Sequence, residues 1–267
     1  MLQQGRVRQR PPRGKAQAHS GVQPLSSYAD THFEPLPLPN GQPPYHIDLE
    51  TLLPGIGKIA ARLGQIVFHT VGDTGGVKNA DYQAAVAAQM KTDLTTKDEG
   101  KLPRFFFHLG DVVYYNGQVK DYYDQFYEPY DHYDPPIIAI PGNHDGDPVA
   151  GQTALDGWIR YFMSKTPHID RATSGDAPRV TLALPNVYFT LNCPFVTIVG
   201  MYTNVPEGGS IDSVQQQWLT NEFVTAPQDK ALIVALHHPI YSFDDHHSGS
   251  HYGRCAATCN QRLAPRS

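Results

Sequence analysis

Cysteine is scarce. Three among 267 residues (Cys193, Cys255 and Cys259) make no disulfide framework, and Cys255 and Cys259 lack two further close ligands for a zinc site. Long apolar runs are missing too. Mean hydropathy is −0.41, and no stretch approaches the roughly 20 residues of a spanning helix, which excludes a membrane-embedded helix. Met1 to Arg13 carries charge with no apolar core behind it, unlike a secretory leader, so the cytoplasm is the default compartment. Nor is there a surplus of positive charge. With 21 Lys and Arg against 26 Asp and Glu, the net charge is −5, which argues against a general nucleic-acid surface. Five basic residues do fall within the first fifteen, and they read as a disordered arm.

What the chain has is 40% hydrophobic content, enough for a sizeable α/β core. Residues 1–62 are rich in Pro, Gln, Gly and Ser. They read as an extended or partly disordered lead-in, with the folded domain running from 63 to 252 and an atypical tail over 253–267. Ile137 to Ile140, bounded by prolines, reads as a buried strand that stops at Pro141-Gly142. Asn143, His144 and Asp145 follow at once. Three other apolar runs end the same way: Ile66 to Val71 before Gly72-Asp73, Phe105 to Leu109 before Gly110-Asp111, and Ala231 to Leu236 before His237-His238. Open α/β folds bind ligands at the carboxyl ends of strands. Four such endings point to one shared site.

Between the strands, Asn79 reads as the N-cap of a helix presenting Tyr82, Val86 and Met90 on one face. A mostly helical segment over 117–130 carries packing tyrosines, and a helix follows near Leu155 to Met163. Arg179–Leu184, Val187–Leu191 and Phe195–Met201 read as an antiparallel meander, so the sheets are mixed. Asp212 caps a helix bearing Val214, Trp218, Leu219 and Phe223. His69, His108 and His238 read as packing histidines rather than ligands.

Carboxylates and imidazoles gathered at strand ends suit iron, manganese or zinc. Two such ions can hold a phosphoryl group and generate hydroxide near neutral pH. Gly72-Asp73, Gly110-Asp111-Val-Val-Tyr114, Gly142-Asn143-His144-Asp145 and His237-His238-Pro239 occur in the order of the calcineurin-like metallophosphoesterases, and the chain most resembles their purple acid phosphatase branch. The resemblance implies a four-layer α/β (α+β) sandwich of mixed sheets flanked by helices, acting as a phosphatase on a small phosphorylated substrate, with neither nucleic acid nor membrane as partner. Where the superfamily has Asp-x-His, the third position here is Gly75, and Tyr114 fills the place of the branch's ligand tyrosine. By resemblance Asp73, Asp111 and Tyr114 bind the first of two transition-metal ions, Fe3+. Asp111 bridges to the second, Fe2+, Zn2+ or Mn2+, which Asn143 and His237 bind. His144 contacts the phosphate or assists the leaving group, and His246 and His247 serve as phosphate contact and proton donor. Members of this branch are often secreted.

One departure matters. The family's Gly-His-x-His motif, with one ligand for each metal, has no counterpart between His238 and Ser267. The expectation is a chain truncated or frame-shifted after about Tyr252. The alternative function is a catalytically impaired relative that acts as a binding module.

Overall fold

A computed structural model describes residues 35–76, 79–147, 153–177, 179–203 and 210–238. In chain order these form β1 (His46–Asp48), α1 (Leu49–Leu52), α2 (Ile56–Leu63), β2 (His69–Val71), α3 (Ala80–Asp93) and β3 (Phe106–His108). After short 3-10 and π-helical turns come β4 (Ile137–Ala139), α4 (Asn143–Gly146), α5 (Asp156–Phe162), α6 (Arg171–Ser174), β5 (Phe189–Asn192), β6 (Val196–Gly200), α7 (Ser213–Thr225) and β7 (Ala231–Ala235).

Strand alternation sets the layers. One sheet is wholly parallel, in the order β2-β3-β4, and the other is mixed, β1-β5-β6-β7, with only β5 and β6 antiparallel. Phe107 of β3 reaches Phe189 of β5 at 6.3 Å between rings, so the two sheets face each other. On the opposite face of β3, Phe106 meets Tyr130 and Tyr133. On the opposite face of β5, Thr190 donates to Glu222 of α7. The result is an α/β sandwich. Gly200 is required where the sheets touch, because an added Cβ would lie 2.7 Å from Ile140 Cγ2.

The caps are as the sequence predicts: Asn79 Oδ1 accepts from Asp81 N, and Asp212 Oδ1 accepts from Gln215 N. Three readings need correcting. Tyr82 and Val86 face water, while α3 buries Gln83, Ala87 and Met90. Its inner face meets the polar Gln125 region, where Gln83 Nε2 donates to the Gln125 carbonyl. Residues 179–184 are not a sheet strand; they make only the isolated bridges Ile169–Val180 and Met163–Ala183. Finally, β1, α1 and all but the last residue of α2 lie inside the stretch read as a lead-in. β1 pairs in register with β5, and the Pro44 carbonyl accepts from Trp218 Nε1. Three residues of strand among prolines leave too short a period to detect.

Candidate metal centre

The carboxyl ends of β2, β3, β4 and β7 converge. Asp73 and Asp111 each follow a glycine, and both adopt left-handed backbone, with φ of 57° and 52°. This region disfavours non-glycine residues, though aspartate tolerates it best. Close glycines allow the approach. A Cβ on Gly142 would sit 2.2 Å from Asp111 Oδ1, and one on Gly110 (φ 94°) would sit 2.7 Å from Gly142 N.

Within this pocket Asp73, Asp111 and His237 bring ligand atoms within 4.8 Å of one another, a group able to hold a metal ion. Asn143 and Tyr114 join it. His237 Nε2 lies 3.1 Å from Asn143 Oδ1 and 3.4 Å from Asp111 Oδ1, and the Tyr114 hydroxyl donates to Asp73 Oδ1 at 3.2 Å. His237 Nδ1 donates to the Leu109 carbonyl, which fixes the tautomer and turns Nε2 toward the two oxygens. A nitrogen aimed among acceptors needs a positive charge at that point, supplied by a proton or a metal. The donor set of carboxylates, imidazole, amide oxygen and phenol therefore fits a transition metal.

The electrostatics agree. Burial pulls the His237 imidazolium down, but the hydrogen bond and charge of Asp111, with Asp73 and the Leu109 carbonyl, outweigh it and raise the pKa to about 9. Burial would raise Asp111, yet His237 and His144 hold it below the usual carboxylate range. Burial, then Asp111 and Asp73, push the Tyr114 phenol far above its ordinary range, so it stays protonated unless a cation sits beside it. A stability prediction follows for the metal-free protein. An unfolded chain releases the His237 proton near 6.5 but the folded one near 9. That stabilisation is complete below 6.5 and is lost as pH rises through about 9. The melting temperature should fall between about pH 7 and about pH 9, and Zn2+ or Mn2+ should raise it more at the upper end, where no proton competes. Thermal melts with and without metal test this; a metal-induced rise independent of pH would refute it.

Of the predicted site residues, the structure brings Asp73, Asp111, Tyr114, Asn143 and His237 together. His144 opens α4 beside Asn143, its ring centroid 4.6 Å from that of Tyr114, and its Nδ1 donates to the Tyr115 carbonyl. His246 and His247 lie outside the described residues.

The packing histidines behave as read. Buried His108 is neutral, driven down to about 3 chiefly by burial. Its Nδ1 accepts from Gly110 N, so Nε2 donates to Thr74 Oγ1. His69 pairs with Tyr133 and Asp93, and His238 with Thr203. Gly75 also has its reason: a Cβ there would sit 2.5 Å from the Tyr114 ring, so the tyrosine occupies the space a side chain at that position would need.

Two residues carry roles that the sequence did not assign to them. Buried Asp145 accepts from Val112 N, Val113 N and Gly142 N, tying the Asp111 loop to the Asn143 loop. An acid three residues after a helix-opening glycine is a capping signature that could have flagged it. Gln125 holds the backbone of Tyr114 and has no comparable signal.

An α/β sandwich with carboxylate, phenol, amide and imidazole groups gathered at parallel strand ends has the architecture of a metallophosphoesterase. The sequence profile of the calcineurin-like phosphoesterase family matches residues 28–260, and the chain belongs to that family. It is also similar to tartrate-resistant acid phosphatase type 5 of Rattus norvegicus, 26% identical over 206 residues covering 73% of this chain and 62% of the relative. The Mus musculus protein of the same name is 25% identical over 190 residues, covering 67% and 57%. The chain thus spans about three fifths of the relatives it matches. No helix among the described residues is long and apolar enough to cross a membrane.

Proposed function

We propose that this protein hydrolyses a small phosphomonoester at a two-metal centre built on Asp111. The supporting observation is the cluster around Asp111: ligand atoms of Asp73, Asp111 and His237 lie within 4.8 Å of one another, His237 Nε2 is 3.1 Å from Asn143 Oδ1, and the Tyr114 hydroxyl donates to Asp73. Asp73 and Tyr114 would hold one ion, Asn143 and His237 the other, and Asp111 both. Bound metal would supply positive charge for a phosphoryl group and acidify water at the site. Tyr114 ionises only beside a strongly charged cation, which favours Fe3+ on its side, with Fe2+, Zn2+ or Mn2+ on the other. His144, its Nδ1–H committed to Tyr115, has Nε2 left for a phosphate oxygen or the leaving group.

Loading the purified chain with Fe3+ and Zn2+, then measuring metal per chain and p-nitrophenyl phosphate hydrolysis, tests the reading. Near-stoichiometric metal pairs and turnover abolished by a chelator are expected; turnover indifferent to chelation would overturn it. The second reading is a binding module of the same fold. One ion or none, with no turnover, would select it.

A further inference from the structure

Tyr114 lies in a loop with no strand partner for its backbone, yet neither polar group is left unpaired. Gln125 Oε1 accepts from Tyr114 N and Gln125 Nε2 donates to the Tyr114 carbonyl, both at 2.8 Å. One carboxamide thus supplies the donor and acceptor that a neighbouring strand would. Gln125 is itself buried, on the π-helical turn Tyr123–Tyr127, and that turn is anchored by Gln83 of α3 through the Gln125 carbonyl. Gly75 seats against both partners: its added Cβ would lie 2.5 Å from Tyr114 Cδ2 and 2.6 Å from Gln125 Oε1. The Tyr114 ring is therefore confined between Gly75 and His144, with its backbone fixed from behind and its hydroxyl directed at Asp73. The same device recurs away from the site, where Gln215 Oε1 and Nε2 hold the amide and carbonyl of Tyr202.

We infer that Gln125 is a positioning residue for the metal-ligand role of Tyr114, setting the place of the phenol oxygen without touching metal or substrate. This inference rests on the proposed reading of Tyr114 as a ligand. Leucine at 125 removes both hydrogen bonds at similar bulk. Glutamate keeps the acceptor for Tyr114 N but, ionised, sets an oxygen against the Tyr114 carbonyl.

The test uses the full chain loaded with ferric iron, because a phenolate bound to Fe3+ absorbs visible light and reports the bond directly. At matched iron content, Gln125→Leu should lose most of the band per iron, and Gln125→Glu should retain more of it at a shifted wavelength. Far-UV circular dichroism of both variants should match the parent. A parent band that Gln125→Leu and Gln125→Glu leave unchanged would overturn the positioning role alone. Absence of the band in the iron-loaded parent, or its persistence in Tyr114→Phe, would overturn the Tyr114 reading and this inference with it.

Discussion

Asp111→Asn should reduce metal-dependent hydrolysis by more than the roughly 100-fold that loss of an outer-sphere partner costs at a metal site. The substitution is nearly isosteric and suits the backbone, since asparagine tolerates the left-handed conformation that Asp111 holds. An amide oxygen can also still accept from His144 N, as Asp111 Oδ1 does. What disappears is the charge and the second oxygen, so one side chain can no longer serve both halves of the site. With that charge gone, His237 also loses the partner that most favours its protonated form. kcat/KM on an aryl phosphate, with metal per chain measured alongside, decides the matter. A variant that keeps parental rate and metal content would refute the assignment of Asp111.

The second large effect belongs to a residue that would touch no metal. Asp145→Ala leaves Val112 N, Val113 N and Gly142 N without their buried acceptor, and each orphaned group costs about 1–3 kcal/mol, not additively. Burial and the nearby Asp111 charge already push the Asp145 carboxyl up to about 7, against the pull of those three N–H groups. The Asp145 carboxyl group is therefore kept there although its site disfavours the ionised form. The loops it joins carry Asp111, Tyr114 and Asn143, so metal affinity should fall roughly 10- to 100-fold along with stability. Asp145→Asn, which keeps one oxygen, should lie between. Urea unfolding and metal titration of the three proteins measure both effects; an alanine variant as stable as the parent would remove Asp145 from this role.

Sequence alone made Asp73, Asp111 and Asn143 legible because each sits where an apolar run meets a glycine, and His237 because it ends a run directly, whereas Tyr114 was reached through the family resemblance. That junction is a local signal. Asn79 and Asp212 were legible for the same reason: a cap acts within three residues of itself. The residues that were missed act at a distance. Gln125 reaches back 11 positions to Tyr114, and Asp145 reaches 33 to Val112, and no hydrophobic period encodes either link. Four-residue spacing also misled on α3, where Tyr82 and Val86 line up with Met90 but the helix turns Gln83 and Ala87 inward. There the Gln83 hydrogen bond to Gln125 joins Ala87 and Met90 in setting the buried face. The run at 179–184 has β-type composition but no adjacent sheet strand to pair with beyond two bridges.

The left-handed turns at Asp73 and Asp111 bear on how fast the site can fill. A carboxylate on an ordinary loop must be gathered each time a cation arrives, and much of the binding free energy goes into ordering it. Here two carboxylates are held in a sparsely populated backbone conformation in advance among close-packed glycines, with Asp73 N donating to the Gly110 carbonyl and Asp145 pinning the loop after Asp111. Metal uptake should then be governed by departure of the His237 proton and by dehydration of the ion. A stopped-flow trace would show one phase that quickens with pH, with no slower phase of loop rearrangement behind it.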